Sequence, residues 1–261
     1  MSAIILLPVV ILTIVKGGPL LFAMLLGVFT FIGTHEFYRM ALPARNAESW
    51  LAASCSGLII FLPLLGDNRL LLGALTALFL VFALLFLFRI RDISVAATEI
   101  AHASLAFIYI PLLLVHLVLL RQTAFGIQWL LLIMLIVMTN DSAAYYTGSA
   151  FGKRRLYEKV SPKKSIEGSL GGLAGSIGGT LVAKFSFFPQ LTLTDALLTA
   201  VLIGILGQTG DLFESLLKRS FGVKDSGCII PGHGGVLDRL DSIIFAAPAT
   251  YYYAVYLFGR F

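Results

Sequence analysis

Four aspartates, Asp141, Asp211, Asp238 and Asp241, lie at the ends of long apolar segments. Ionisable side chains are costly at such positions in a bilayer and indicate function by default. Four converging carboxylates would repel one another unless a hard cation lay among them, and Mg²⁺ held by carboxylates and phosphates meets that need. These residue types therefore predict a cation site suited to phosphate chemistry.

Asp211 is the most informative single residue. If its helix starts near Ala196, Asp211 lies roughly 22 Å along it, in the last third of a hydrocarbon core about 30 Å thick. A lone Asp there costs about 2.5 to 3.5 kcal/mol, so we expect a neutralising partner. Ser215 and Lys218 follow on the same helical face, and an Asp–Lys pair that ties down the helix end is the structural alternative.

The other three acids have weaker signals. Asp238 and Asp241 are spaced i, i+3 at the start of the last apolar segment, where carboxylates also favour the helix macrodipole. Asp141 could equally be a polar helix end. The turn Pro231 to Gly235 offers backbone N–H groups to an anion just before a helix N-terminus, although a tight turn is the alternative.

Basic residues accompany the acids and could neutralise several phosphate groups in one cytosolic mouth. Positive-inside bias and contact with anionic lipid are the alternative, which we favour for Arg155 and Lys159. The remaining candidates are Lys153, Arg154, Lys163, Lys164, Lys218, Arg219, Lys224 and Arg239.

The elements that must position these residues are membrane helices. The chain is 58% hydrophobic and 13% charged, far from the balance of a soluble domain. We predict an all-α, polytopic membrane bundle of about nine helices, because the apolar runs are too long for strands. Residues 1–125 would form a scaffold of five helices, and residues 126–261 a catalytic part of four. The nine segments are 2–15, 20–37, 50–65, 70–88, 104–120, 127–146, 167–185, 195–217 and 237–258.

Charge orients the segments. Fourteen of the nineteen Lys and Arg residues follow even-numbered segments, so that side is predicted to be cytosolic. His35, Glu36 and Arg39 end the second segment, where we expect a solvated helix end rather than an interfacial ion cluster. Small residues at intervals of four from Gly168 to Gly179 predict close helix packing, within the chain or in a homodimer.

The motifs resemble one family. Ser215-x-Leu217-Lys218-Arg219, Lys224-Asp225-x-Gly227 and the run Ile230-Pro231-x-His233-Gly234-Gly235-Val236-x-Asp238-Arg239-Leu240-Asp241 are similar to the C-terminal motif of the phosphatidate cytidylyltransferases. An earlier block, from Asp141 to Tyr145 and from Ser161 to Gly168, is similar too. Ile166 and Cys228 depart from the pattern at uncharged positions, which bears on substrate fit.

The resemblance implies that CTP and phosphatidic acid give CDP-diacylglycerol and pyrophosphate, with Mg²⁺ and a candidate second, monovalent cation. It implies membrane lipids as surroundings, no nucleic-acid partner, and an inner-membrane location with the active face towards the cytoplasm. Asp211 and Asp238 would hold the metal, with Asp141 and Asp241 as further ligands. The other catalytic candidates are Lys218, Arg219, Lys224, Asp225, His233 and Arg239. The substrate-binding candidates are Tyr145, Lys163, Lys164, Glu167, Ser215, Gly232, Gly234 and Gly235.

Two alternatives use the same residues. A cation-coupled transporter would also need intramembrane acids, but these charges crowd one face instead of lining a path across the bilayer. A lipid kinase that uses CTP would release CDP rather than pyrophosphate.

Overall fold

The computed structural model describes residues 2–229 and 234–260. Helices dominate this part of the chain. They are α1 (Ser2–Lys16), α2 (Pro19–Ala41), α3 (Asn46–Ile59), α4 (Asn68–Phe88), α5 (Ala96–Tyr109), α6 (Pro111–Arg121), α7 (Gly126–Phe151), α8 (Ile166–Ser186), α9 (Leu193–Ser220) and α10 (Leu237–Tyr256), with a 3₁₀ turn at Leu62–Leu65. Two short strands, β1 (Arg155–Tyr157) and β2 (Ser161–Ser165), precede α8.

Seven of the nine predicted apolar segments each coincide with one helix, whereas 50–65 covers α3 and the 3₁₀ turn, and 104–120 covers parts of α5 and α6. The all-α membrane architecture is therefore confirmed. Among the described residues, six helical segments are long and apolar enough to cross a membrane. They are Pro19–Ala41, Asn46–Leu65, Arg69–Phe88, Ala96–Arg121, Gly126–Phe151 and Leu193–Ser220. The predicted number of nine is therefore approximate: α1 is short, α8 is rich in glycine, and α10 carries acids in its first two turns.

The chain divides into two compact units. The first unit contains residues 2–118, 225–229 and 234–239, and the second contains residues 119–224 and 240–260. In the first unit α2 packs on α3, where a Cβ at Gly27 would lie 3.2 Å from the carbonyl oxygen of Gly57. The predicted assignment of a scaffold to residues 1–125 and catalysis to the remainder concerns roles, and it stays a prediction.

A buried ion cluster supports the first unit. Arg45 is 1% exposed and pairs with Glu99 at 2.5 Å, while its other nitrogen donates to the carbonyl oxygen of Arg89 at 2.9 Å. Glu48 lies 3.5 Å from the same guanidinium. The ends of α3, α4 and α5 are thereby tied together, because a buried cation is stable only when it is paired and hydrogen-bonded.

In the second unit, α8 packs closely on α7 through its glycines. A Cβ at Gly175 would lie 2.6 Å from the carbonyl oxygen of Thr139, and a Cβ at Gly168 would lie 2.9 Å from that of Ala144. The small-residue pattern is therefore used inside the chain. The homodimer stays a prediction, and the small-residue pattern no longer supports it.

The short hairpin was not predicted from the sequence. β1 and β2 pair antiparallel, with Arg155 opposite Ser165. Ser165 then caps α8, because its hydroxyl accepts a hydrogen bond from Gly168 N at 3.1 Å. The hairpin is thereby continuous with the start of α8.

Candidate active site

Three of the four predicted acids form one cluster in the second unit. They come from three helices: Asp141 from α7, Asp211 from α9 and Asp241 from α10. Asp241 is half-buried and interacts electrostatically with the like charges of Asp211 and Asp141. We name these three residues the acidic cluster. Carboxylates that interact in this way repel one another, and a cation beside them would offset the repulsion.

The start of α9, the helix that carries Asp211, is capped and anchored. Thr192 and Asp195 form a capping box, in which the threonine hydroxyl accepts from Asp195 N at 2.9 Å. Asp195 is buried and also accepts a hydrogen bond from the Tyr253 hydroxyl at 2.7 Å. This second contact attaches the beginning of α9 to the end of α10, the helix that contributes Asp241.

Two lysines neutralise the surroundings of the cluster. Lys164 Nζ of β2 lies 2.5 Å from Asp211 Oδ2. Lys218 Nζ pairs with Glu214 Oε1 at 3.1 Å and is attracted to Asp241. The sequence predicted a neutralising partner for Asp211, and the hairpin supplies it through Lys164. Ser215 is on the predicted face, with its hydroxyl 3.5 Å from Asp211 Oδ1.

A network of neutral polar side chains sets the register of the three helices beside the cluster. Asn140, next to Asp141, donates to the Ser176 hydroxyl of α8 at 2.7 Å. Gln208, one turn before Asp211, donates to Asn140 Oδ1 at 3.1 Å and accepts a hydrogen bond from Ser169. Because the buried Asn140 and the half-buried Gln208 both have defined partners, the network fixes α7, α8 and α9 against one another.

The hairpin is ordered by Glu167 at the start of α8. The carboxylate accepts hydrogen bonds from Lys153 N at 3.1 Å and from Arg154 N at 3.2 Å. The predicted substrate-binding Lys163 is exposed. Tyr145 is also exposed, and its ring lies edge-on to that of Tyr146. Glu167 therefore has a structural role, while these two side chains are accessible from outside the protein.

The fourth predicted acid, Asp238, lies in the first unit and has different neighbours. Its Oδ2 accepts hydrogen bonds from Ser226 N and Ser226 Oγ, both at 2.9 Å, and from Gly235 N at 2.8 Å. These donors hold the two ends of the preceding loop together. Asp238 as a metal ligand stays a prediction, and the structure adds a loop-organising role.

Glu36 is the main residue that the sequence analysis missed. We expected a solvated helix end, which is wrong, because Glu36 is 3% exposed. Its carboxylate accepts hydrogen bonds from Val236 N at 3.0 Å and from Leu237 N at 2.9 Å, and Ser226 Oγ lies 3.2 Å from it. Its partners are about two hundred residues away in sequence, so no local pattern could have indicated them.

The described backbone N–H groups at the end of the glycine-rich turn are already hydrogen-bonded to acids of the protein. Asp238 accepts a hydrogen bond from the N–H group of Gly235, and Glu36 accepts hydrogen bonds from those of Val236 and Leu237. Anion binding by Gly234 and Gly235 stays a prediction, and the φ of +81° at Gly234 explains a glycine there. The predicted His233 and Gly232 lie outside the described residues.

The remaining predicted basic residues are at the surface. Lys224 and Arg239 are exposed, as is Asp225. Arg219 donates to the carbonyl oxygen of Val223 at 3.3 Å, which closes the turn after α9. Their predicted contacts with phosphates stay predictions.

The acidic cluster fits a magnesium ion better than a metal that needs a complete protein cage. Among residues 2–229 and 234–260, no three His, Cys, Asp or Glu side chains are arranged as a ready metal site. Mg²⁺ is usually bound by one or two carboxylates, with waters and substrate phosphates supplying the remaining oxygens. Asp211 and Asp241 offer such a pair, and Asp141 adds a third negative charge nearby.

Fold and site together define a polytopic helical membrane protein with clustered acids and lysines suited to phosphate chemistry. A model described as the cytidylyltransferase family matches residues 1–257. The chain belongs to this family.

Named relatives support the family assignment. A phosphatidate cytidylyltransferase of Staphylococcus saprophyticus is 33% identical over 256 residues, which are 95% of each chain. The protein of that name from Bacillus subtilis is 38% identical over 157 residues, covering 59% of this chain and 58% of the relative. The one from Synechocystis is 50% identical over 122 residues, covering 46% and 41% respectively.

Proposed function

We propose that this chain is a CTP:phosphatidate cytidylyltransferase, which transfers CMP from CTP to phosphatidic acid and releases pyrophosphate. The observation that carries the proposal is the match to a relative of that name over 95% of both chains. The acidic cluster supports it independently. A reaction between two anionic phosphates needs concentrated positive charge, and carboxylates can hold a metal ion that supplies it, next to the lysine that pairs with Asp211.

The chemistry follows from the charges of the substrates. Phosphatidic acid is a phosphate monoester whose second pKa is near 6, so its attacking oxygen is already ionised at neutral pH. A general base is therefore unnecessary. The barrier is to bring two anions together and to align the lipid oxygen with the bond that breaks at the alpha phosphorus of CTP.

The protein's own residues would lower that barrier in two ways. Asp211 and Asp241, with Asp141 nearby, would hold Mg²⁺, which would supply positive charge to the nucleotide phosphates. Lys164 and Lys218 reach the same cluster and would neutralise charge on the triphosphate and on the leaving pyrophosphate. The lipid itself is the nucleophile, so Ser215 would contact phosphate or metal without forming a covalent intermediate.

We place the reaction in the membrane, with the acidic cluster at its cytosolic side. This orientation rests on the excess of Lys and Arg in the loops that flank the site. In a bacterium this would be the inner membrane, where CTP is available from the cytoplasm and phosphatidic acid from the bilayer.

The test is to incubate the purified protein with labelled CTP, phosphatidic acid and Mg²⁺, and then to extract the lipids. We expect labelled CDP-diacylglycerol and one pyrophosphate per lipid product. Release of CDP would instead indicate a lipid kinase, and ion flux in liposomes without nucleotide consumption would indicate a transporter. For the metal assignment, Asp211→Asn and Asp241→Asn are compared, and wild-type turnover in both folded variants would contradict it.

A further inference from the structure

Lys164 occupies the carboxylate oxygen that a cation would need. Its Nζ lies 2.5 Å from Asp211 Oδ2, and both side chains are partly exposed, at 28% and 31%. An ammonium at this distance and a metal ion cannot share the oxygen freely, because both are positive and both need its lone pairs. A cation can therefore coordinate this oxygen fully only after the lysine has moved.

The hairpin allows the lysine side chain to move without unfolding. The backbone of the hairpin is held by its own ladder and by the contacts of Glu167 with Lys153 N and Arg154 N, none of which involves the Lys164 ammonium. A lysine also carries its charge on a flexible four-carbon stem. The ammonium can swing while β2 stays in place.

Lys218 provides the contrast. Its side chain is 12% exposed, and its partner Glu214 is 1% exposed and one helical turn away on α9. A buried pair on one rigid helix is costly to break, because it would leave an uncompensated charge. Lys218 is thus a fixed charge, whereas Lys164 is on a separate element and is accessible to solvent.

We propose that Lys164 is an exchangeable counter-ion, which neutralises Asp211 in the empty site and transfers its ammonium to a nucleotide phosphate when the cation binds. This inference rests on the proposed function and adds a change of partner for Lys164 when the cation binds. Without the pairing to Lys164, Asp211 would be an unneutralised acid near the bilayer whenever no cation is bound. With the exchange, a bound nucleotide phosphate draws the Lys164 ammonium away from Asp211, and a bound cation releases that ammonium to the phosphate. Each ligand therefore favours the binding of the other.

The proposal predicts effects of opposite sign for one substitution. Lys164→Gln removes the competing charge, so the nucleotide-free protein should bind a divalent cation about three- to tenfold more tightly. The same substitution removes a phosphate contact, so binding of CTP should weaken about tenfold. A lysine that only stabilises the fold would not tighten cation binding.

The experiment uses Mn²⁺ as the probe, measured by electron paramagnetic resonance on purified full-length protein without nucleotide. Lys159→Gln is the matched control, because it removes the same charge from an exposed position of the same hairpin. We expect its Mn²⁺ affinity to stay within about twofold of the wild type. Lys164→Arg keeps the charge and should bind Mn²⁺ no more tightly than the wild type.

Asp211→Asn distinguishes a failure of the proposed metal assignment from a failure of the Lys164 exchange. If Asp211→Asn binds Mn²⁺ as the wild type does, the proposed metal assignment is overturned. If Asp211→Asn loses binding while Lys164→Gln matches the wild type or binds more weakly, the exchange is overturned and the metal assignment stands. Tighter Mn²⁺ binding in Lys164→Gln, with weaker CTP binding, supports the exchange.

Discussion

The two groups of carboxylates in this protein differ in what they face. In the first unit, Glu36 and Asp238 accept hydrogen bonds from backbone N–H groups and from one serine hydroxyl. In the second unit, Asp241 interacts with the like charges of Asp211 and Asp141 and is attracted to Lys218, and Asp211 pairs with Lys164. Glu36 and Asp238 also repel each other, but fixed neutral donors compensate both carboxylates and thereby stabilise a loop. The acids of the cluster are compensated by lysine side chains instead, which is an arrangement suited to a cation.

This difference ranks the predicted metal ligands. Asp211 and Asp241 have the electrostatic surroundings of ligands, and Asp141 adds a further charge to them. Asp238 already organises Ser226 and Gly235. We therefore expect Asp211 and Asp241 to control catalysis, and Asp238 to control stability.

The largest expected effect is on activity. Asp211→Asn should lower CDP-diacylglycerol formation by about 10²- to 10⁴-fold, because a ligand for the charge-stabilising metal contributes several kcal/mol to the transition state. Its thermal stability should change little, since loss of the partly exposed ion pair with Lys164 is offset by relief of the repulsion from Asp241. The measurement is turnover with labelled CTP. The exposed Glu158→Gln is the charge-matched control and should keep full activity.

The second effect is on stability. Glu36→Gln replaces a carboxylate that accepts from Val236 N and Leu237 N by an amide whose NH₂ group cannot accept. We expect a loss of about 1 to 3 kcal/mol, measured as a lower melting temperature in detergent. Arg39→Gln, on the exposed face of the same helix end, should have almost no effect.

The same variant tests the comparison directly. Glu36→Gln should leave the affinity for Mn²⁺ unchanged, because its partners are loop donors and not the acidic cluster. A large loss of Mn²⁺ binding in Glu36→Gln would mean that the loop and Asp238 belong to the metal site, and the comparison would fail.

A third effect concerns the helix that supports the cluster. Gly175→Ala places a methyl group 2.6 Å from the carbonyl oxygen of Thr139 on α7, the helix that carries Asp141. Overpacking of this kind costs about 1 to 3 kcal/mol. Gly178→Ala is the control, since a Cβ there meets nothing within 4 Å and alanine favours a helix. Equal melting temperatures for both variants would contradict the close packing of α8 on α7.

The sequence predicts the helices well and the tertiary partners poorly. Runs of apolar residues are a local property, so the predicted segments are helical in the structure, although two of them are divided between consecutive helical elements. The acids of the cluster were also found from residue types and helix ends. In contrast, spacing on one helix suggested Lys218 for Asp211, whereas Lys164 comes from a hairpin that no pattern indicated. Glu36 was missed because its partners are at sequence separations of 190 to 201.

The smallest expected effect is in the neutral network beside the cluster. Asn140→Leu and Gln208→Leu each remove a side chain from the interhelical hydrogen bonds, and such bonds average about 0.6 kcal/mol in membranes, with a maximum near 1.7. Because the two amides are mutual partners, the double variant should lose less stability than the sum of the single variants. The measurement is a double-mutant cycle on melting in detergent. Strict additivity would show that each amide acts independently, and that the network does not set the register of α7 and α9 beside the acids.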